Sequence, residues 1–213
     1  MSIVCLFLVL TVQQKHDSPS GMRITVSEAE RRIAVWVGKY KTPFARHSHP
    51  KLKDVTPEDG WHRAGGQVFK QTEYTESIDE TDAYFIRGRE IVPLSIGFGG
   101  NGLISVCVAD LNLDGKRQLV FTYSWGSGLH RSHLGIVDFE QPKPRKNEAE
   151  FVFRTYDIRL RKQGDQSVDA FAGNTALGKV VLINTPRGEI PTIKWDPRLP
   201  KAMKKCVWRM PSK

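Results

Sequence analysis

The stretch VADLNLDGKRQLVFTYSWGSGLHRSH, residues 108–133, sets three oxygen-bearing side chains on alternate positions, then a glycine, then an almost unbroken apolar run. Calcium is a hard cation that takes about six to eight oxygens, and a tight loop supplies them only when carboxylate or amide side chains recur at every second residue. Asp110, Asn112 and Asp114 recur in that way. Gly115 permits the sharp turn that aims the backbone carbonyl of Lys116 at the ion, and Gln118 offers an amide oxygen or a seat for water. In an EF-hand the loop closes with a bidentate glutamate and leads into a helix, but the corresponding residue here is Phe121, inside the strand-like run LVFTYSW. The loop is therefore not an EF-hand. The competing reading is a polar turn in which Asp and Asn side chains bond their own backbone amides and need no ion.

The surroundings of the loop extend the pattern. Phe98, Gly99 and Gly100 precede a strand that runs to Ala109; the loop Asp110–Gly115 comes next, and a second strand begins at Leu119. This order resembles the FG-GAP (VCBS-type) repeat found in the N-terminal propellers of integrin alpha chains and in many secreted bacterial proteins. The resemblance spans one repeat, residues 95–140. It implies a blade-like meander with a calcium-stapled loop, with Asp110, Asn112, Asp114, Lys116 and Gln118 as the ligand set. Loops of this family usually carry an acidic residue where this chain has Gln118. One negative charge is thereby lost, and the expected calcium affinity falls to about 10⁻⁴ to 10⁻³ M, useful where calcium is plentiful, outside the cytoplasm.

Outward from the loop, β-branched and aromatic runs dominate. AYFIRGREIVPLS reads as two strands around Gly88, and ISVCVAD, QLVFTYS, HLGIVDF and EFVFRTYDI succeed it with turn signals between them. GKVVLIN and EIPTIKW form a later pair across Pro186, Arg187 and Gly188. Such runs suit half-buried pleated surfaces paired with their sequence neighbours. Near the N-terminus, Ser27 followed by Glu30 is a capping-box spacing, and Ile33, Trp36, Val37 and Tyr40 recur at helical intervals. Residues 41–80 are polar and aperiodic, an irregular connection in which short strands or a lid are expected. The fold expected is mainly β, an antiparallel blade-like meander or small β-sandwich with an N-terminal helix. A closed propeller takes about four to eight blades, and this chain is long enough for about three at the usual repeat length.

The apolar run Ile3–Val12 has the length of a signal-peptide core rather than of a bilayer span. It lacks a preceding basic residue and a small-x-small cleavage pattern, and it reads as an export segment within residues 1–21 or as a buried strand. Residues 22–213 are then expected to form one β-rich domain. Three cysteines, Cys5, Cys107 and Cys206, are too widely spaced for a C-x-x-C site, and Cys107 falls in a strand-like run where a buried small hydrophobe is expected.

A net charge of +9 favours polyanions such as nucleic acid, anionic headgroups or acidic envelope polymers. Lys143, Arg145, Lys146, Arg154, Arg159, Arg161 and Lys162 form one basic cluster, and Lys201, Lys204, Lys205, Arg209 and Lys213 a second. Neither cluster carries a groove-reading motif, so solvated surface is the ordinary explanation.

A ligand pocket, if one exists, is best sought at Tyr123, Trp125, Ser127, His130, Arg131 and His133. Gly126, Ser127 and Gly128 do not make the G-x-S-x-G elbow of a hydrolase. His47 and His49, with His62, lack a completing ligand at a metal-site spacing. The sequence thus points to an exported, non-catalytic binding or structural module with a weak calcium site. An enzyme with a cleft lined by Trp125–His133, and a polyanion-binding module, are the alternatives.

Overall fold

The computed structural model describes residues 23–40, 51–58, 65–72, 81–96, 100–126, 130–139, 143–153, 156–186 and 188–200. The proposed export segment, Phe98 and Gly99 of the FG-GAP pattern, His47, His49, His62, Cys5, Cys206 and the C-terminal basic cluster lie outside the described residues.

The expected helix is α1, Val26–Tyr40. Its cap lies upstream of the expected one: Thr25 Oγ1 accepts the Glu28 amide at 3.2 Å, so Ser27 falls inside the first turn. Thr25 and Glu28 have the same spacing as Ser27 and Glu30, and sequence alone does not rank the two boxes. Glu30 is used elsewhere, accepting the Leu52 amide at 3.0 Å. Ala29, Ile33 and Val37 are buried at the helical interval, and burial of that face prevails over the weak helix propensity of the β-branched residues.

Three antiparallel sheets come after the helix, each an up-and-down meander of four strands consecutive in sequence. The first contains β1 (Leu52–Asp54), β2 (Gln67–Gln71), β3 (Thr81–Arg87) and β4 (Glu90–Ile96). The second is the expected blade-like unit, β5 (Gly102–Ala109), β6 (Gln118–Trp125), β7 (His130–Asp138) and β8 (Arg145–Phe153). The third has β9 (Ile158–Lys162), β10 (Val168–Ala172), β11 (Thr175–Thr185) and β12 (Gly188–Trp195). The mainly β, antiparallel expectation holds, with three layers of sheet rather than the two of a sandwich. The polar region 41–80 contributes β1 and β2, and the run EFVFRTYDI divides between β8 and β9, which belong to different sheets.

The layers stack in chain order. Helix α1 packs on one face of the first sheet, against Leu52, Phe69, Tyr84 and Ile86. The opposite face, with Val68, Phe85 and Leu94, meets Leu103, Leu119, Phe121 and Tyr123 of the second sheet. The far face of the second sheet, with Cys107, Val120, Leu134, Ile136 and Ala149, meets Ile158, Val168, Ala170, Val180 and Ile193 of the third. Cys107 is buried, as its run suggested. No helix of the described residues is long and apolar enough to cross a membrane.

This stacking explains the unbroken apolar character of the quoted stretch. Side chains alternate between faces along a strand, so a sheet covered on one side alternates apolar and polar, whereas one covered on both sides must be apolar at successive positions. All residues of β6 but Trp125 are buried.

The backbone of the third sheet meets the second through hydroxyls rather than aliphatics. Thr122 Oγ1 donates to the Ile158 carbonyl at 2.7 Å, Ser132 Oγ accepts the Ile158 amide at 3.3 Å, and Ser105 Oγ accepts the Leu160 amide at 3.2 Å. Between the first and second sheets Asp82 has the equivalent role. Its carboxylate accepts the Leu103 amide and the Ser95 hydroxyl, while Lys70 Nζ donates to the Leu103 carbonyl at 2.7 Å.

Gly135 of β7 lies beneath Phe121, and a Cβ built there would stand 2.2 Å from the ring. Because Phe121 is fully buried, it cannot yield without disturbing the interface between sheets. Gly135→Ala should lower stability by about 1–3 kcal/mol, the usual range for overpacking. Phe121→Leu should restore part of that loss when combined with it. Urea unfolding of the two single variants and the double variant measures this; an unchanged midpoint for Gly135→Ala contradicts the packing described.

Candidate functional site

The loop at residues 110–118 joins the end of β5 to the start of β6, whose terminal residues Ala109 and Gln118 pair across the ladder. Asp110 is 7% exposed. Its Oδ1 accepts the Asp114 amide at 3.2 Å and its Oδ2 the Gly115 amide at 3.0 Å, so the loop is wound around this carboxylate. Winding so tightly takes Gly115 to φ +83° and Leu113 to φ +61°, left-handed values that glycine adopts readily and leucine rarely. Asp114 Oδ1 accepts the Lys116 amide at 2.8 Å.

Gln118, buried at the foot of β6, closes the loop from below. Its Oε1 accepts the Leu111 amide at 3.1 Å, and its Nε2 donates to the Lys116 carbonyl at 3.3 Å. The two groups expected to face an ion together, the Gln118 amide and the Lys116 carbonyl, therefore bond within the loop.

The first two of the three alternating residues expected as ligands occupy different environments. Asp110 lies inside the loop, whereas the Asn112 amide nitrogen stands outside it, between Asp114 Oδ2 at 3.3 Å and Glu189 Oε1 at 3.2 Å. Glu189, on β12, is a neighbour that the sequence did not connect with the loop, since only the stacking of the sheets brings it there. Asp165, in the turn after β9, is another: its carbonyl accepts the Asp110 amide at 2.9 Å, and its carboxylate pairs with Arg117 and Lys162 at 2.9 and 3.1 Å.

Among the described residues, no group of three His, Cys, Asp or Glu side chains comes together as a metal cluster. The residues fit a weak hard-cation site in one respect: Asp114 and Glu189 share a single N–H donor group, a position where positive charge is favoured. Of the oxygens expected as donors, those of Asp110, Asp114 Oδ1, the Lys116 carbonyl and Gln118 Oε1 already accept hydrogen bonds within the loop.

The second candidate region lies on the face of the second sheet turned toward the first. Tyr123, Trp125, Arg131 and His133 gather there, as the strand register dictates: Tyr123 pairs with His133, and Trp125 with Arg131. Ser127 and the side chain of His130 lie outside what is described. The Trp125 indole donates to His133 Nε2 at 2.8 Å, the Tyr123 and His133 rings stack at 4.4 Å, and Arg131 lies 5.0 Å over the Trp125 ring. The Tyr123 hydroxyl donates to Glu148 Oε2 at 3.1 Å. Lys146 pairs with Glu148 at 3.0 Å, and Arg131 with Glu150 at 3.6 Å. Glu148 and Glu150 were missed in the sequence; the signal was the alternation Lys146, Glu148, Glu150 within KNEAE, which places all three on one face of β8.

The electrostatics of this row follow from burial. His133 is 8% exposed, and burial pushes its imidazole below the ordinary 6.5, against the pull of Glu148 and Glu150. Burial, reinforced by Glu148, raises the Tyr123 phenol above its usual range. With Nε2 accepting from the indole, the neutral ring carries its proton on Nδ1. That atom is buried without a protein partner, a place for a bridging water. A neutral histidine capped by tryptophan and a phenol bonded to a carboxylate do not form an activated nucleophile and base. Apart from His133 Nδ1, the polar groups named in this row bond or pair with one another.

The members of the first basic cluster have different environments, Lys143 and Arg145 being exposed. Lys146 and Lys162 are ion-paired, Arg159 and Arg161 point outward from the third sheet, and Arg154 lies outside the described residues.

Since His133 titrates lower folded than unfolded, the unfolded chain binds more protons as pH falls below 6.5. Its share of stability is full above that pH and is lost as pH drops through the depressed folded value. Melting temperatures from pH 7.5 to 5 should therefore fall more steeply for the native chain than for His133→Gln. Parallel curves would contradict this assignment.

No family model, no curated protein and no solved structure matches the chain.

Proposed function

We propose that this chain is a non-catalytic binding or structural module that works outside the cytoplasm, with the Asp110–Gln118 loop as a calcium-stapled corner between the second and third sheets. The observation that carries the reading is the pairing state of the loop's carboxylates. Asp110 is buried, yet its carboxylate bonds to neutral backbone amides, and among the described residues no lysine, arginine or histidine pairs with Asp110 or Asp114. Buried charge is ordinarily matched by opposite charge or a bound ion.

Bound calcium would supply that positive charge, with Asp110, Asn112, Asp114, the Lys116 carbonyl and Gln118 as its donors. The protein contributes the winding of the loop, set by Gly115, and its attachment to the third sheet through Asp165 and Asn112. The non-catalytic part of the reading draws on the Trp125–His133 row, whose polar groups, His133 Nδ1 apart, are engaged with one another. The location outside the cytoplasm draws on the weak affinity expected of a site with few formal charges and on the apolar N-terminal run.

Differential scanning calorimetry with calcium and with chelator tests the proposal. At calcium about a hundredfold above its dissociation constant, the native chain should gain roughly 2.7 kcal/mol. Asp114→Ala should remove the response. Superimposable scans of the native chain in calcium and chelator would dispose of the idea and leave a loop held by its own amides.

A further inference from the structure

The outer face of the third sheet, turned away from the second, differs from every other sheet face in the stack. On β9, β11 and β12 the residues facing inward are Ile158, Val180 and Ile193, and those alternating with them are Arg159, Arg161, Lys179 and Lys194, all exposed. The register aligns three of these cations in one row across the sheet: Arg161 is opposite Asp169, Asp169 opposite Lys179, and Lys179 opposite Lys194. Arg159 is opposite Phe171.

Two features set this face apart from ordinary solvated surface. Elsewhere many of the described cations are matched, Arg23 with Asp54, Arg31 and Arg32 with Glu28, Arg131 with Glu150, Lys146 with Glu148, Arg198 with Asp196, and the unmatched Lys53, Arg89, Lys116, Lys143 and Arg145 do not line up in one cross-strand row. Among the described residues none of Arg159, Arg161, Lys179 and Lys194 is in an ion pair. In addition, Lys179 and Lys194 stand directly opposite each other on adjacent strands, an arrangement that destabilises a sheet through like-charge repulsion; in the like pair Lys53 and Lys70 of the first sheet, by contrast, Lys70 is engaged by Asp82 and the Leu103 carbonyl. Folding gains nothing from that pair, whereas an anion laid across it would relieve the repulsion.

We infer that this face is a docking surface for a linear acidic polysaccharide. Other anionic partners fit less well. Single-stranded nucleic acid binds on open aromatic platforms, and the aromatic ring of this face, Phe171, is half-buried with the Arg161 guanidinium 4.7 Å over it. The face is the broad side of a four-stranded sheet, wider than the α-helix or two-stranded ribbon that a major groove admits. A membrane surface calls for apolar side chains to insert, and the exposed large apolar group here is Ile183, at only 37%. What remains is a flat array of cations with aliphatic and hydroxyl neighbours, Val181 and Thr192, suited to a chain of carboxylated sugars.

The experiment is calorimetric titration of the full chain with alginate oligomers, in low and raised salt, with neutral dextran as control. The expected result is alginate binding that weakens with salt and is reduced about tenfold by Lys179→Gln with Lys194→Gln. Removing two exposed charges elsewhere, Lys53→Gln with Arg89→Gln, should change it by less than about twofold. Lys179→Arg with Lys194→Arg should retain binding, and it carries the test if the glutamine pair melts lower than the native chain. Absence of alginate binding, or equal losses in the two glutamine pairs, would overturn the inference. So would tighter binding of poly-dT, or of phosphatidylserine vesicles, through the same two lysines.

Discussion

The second sheet is covered on both faces, and that constraint shapes most of the molecule. A strand buried on one side needs an apolar residue at every other position; one buried on both sides needs them everywhere, and its polar residues must find partners inside the protein. β6 meets the first requirement with Leu119, Val120, Phe121 and Tyr123. Thr122 meets the second by bonding the backbone of β9. Hydroxyls are well suited to this seam because the opening strand of the third sheet presents amides and carbonyls to its neighbour, and an aliphatic surface would leave them unpaired at a cost of about 1–3 kcal/mol each.

The seams therefore carry the specificity of the stack, while the apolar clusters carry its bulk. Asp82 and Lys70 bond the amide and carbonyl of Leu103, so the start of β5 is fixed against the first sheet by one carboxylate and one ammonium. Gly102 is required there, because a Cβ would stand 1.9 Å from the Asp82 carboxylate. Two buried glutamines have related duties at the first residues of β2 and β6. Gln67 bonds both the amide and the carbonyl of Ile24 and reaches Asp54, and Gln118 bonds both Leu111 and Lys116. In each case a side-chain amide with both donor and acceptor capacity holds a segment that has no strand partner.

These roles explain what the sequence did and did not disclose. The β5–β8 meander, β3, β4 and the hairpin of β11 and β12 were legible because long runs of β-branched and aromatic residues persist wherever both faces, or one whole face, are buried. β1 and β2 were hidden in a polar region because they are short. β9 and β10, written IRLRK and VDAFA, carry Arg159, Arg161 and Asp169 on the outward face and only small residues, Ala170 and Ala172, beside Val168 on the inward face of β10. The helix was legible but its cap was not, since two boxes of identical spacing overlap. Asp110, Asp114 and Gln118 could be singled out because their spacing is local. Glu189, Asp165, Glu148 and Glu150 could not, because they reach their partners only through sheet register or stacking. For the same reason four members of a basic cluster close in sequence part company, Lys146 and Lys162 into ion pairs and Arg159 and Arg161 to the outward face of β9.

The two ends of the stack are finished differently. On the first sheet the outer face is apolar, with Phe69, Tyr84 and Ile86 buried beneath α1, and burial there is deep enough to push the Tyr84 phenol up to about 12. That face needs the helix, because exposed aromatic and aliphatic surface of this kind promotes association. On the third sheet alternation returns, apolar inward and cationic outward, which is the pattern of a face in contact with water or with an anionic partner. A further sheet packed on that face would have to desolvate Arg161, Lys179 and Lys194 against the single carboxylate of Asp169, a transfer that costs several kcal/mol for each unpaired charge. The Asp110 loop lies between these regimes: it joins strands of the doubly covered sheet, yet its contacts with Asp165 and Glu189 run to the sheet whose far side is open. Stiffening that corner would therefore stabilise the junction on which the cationic face is carried.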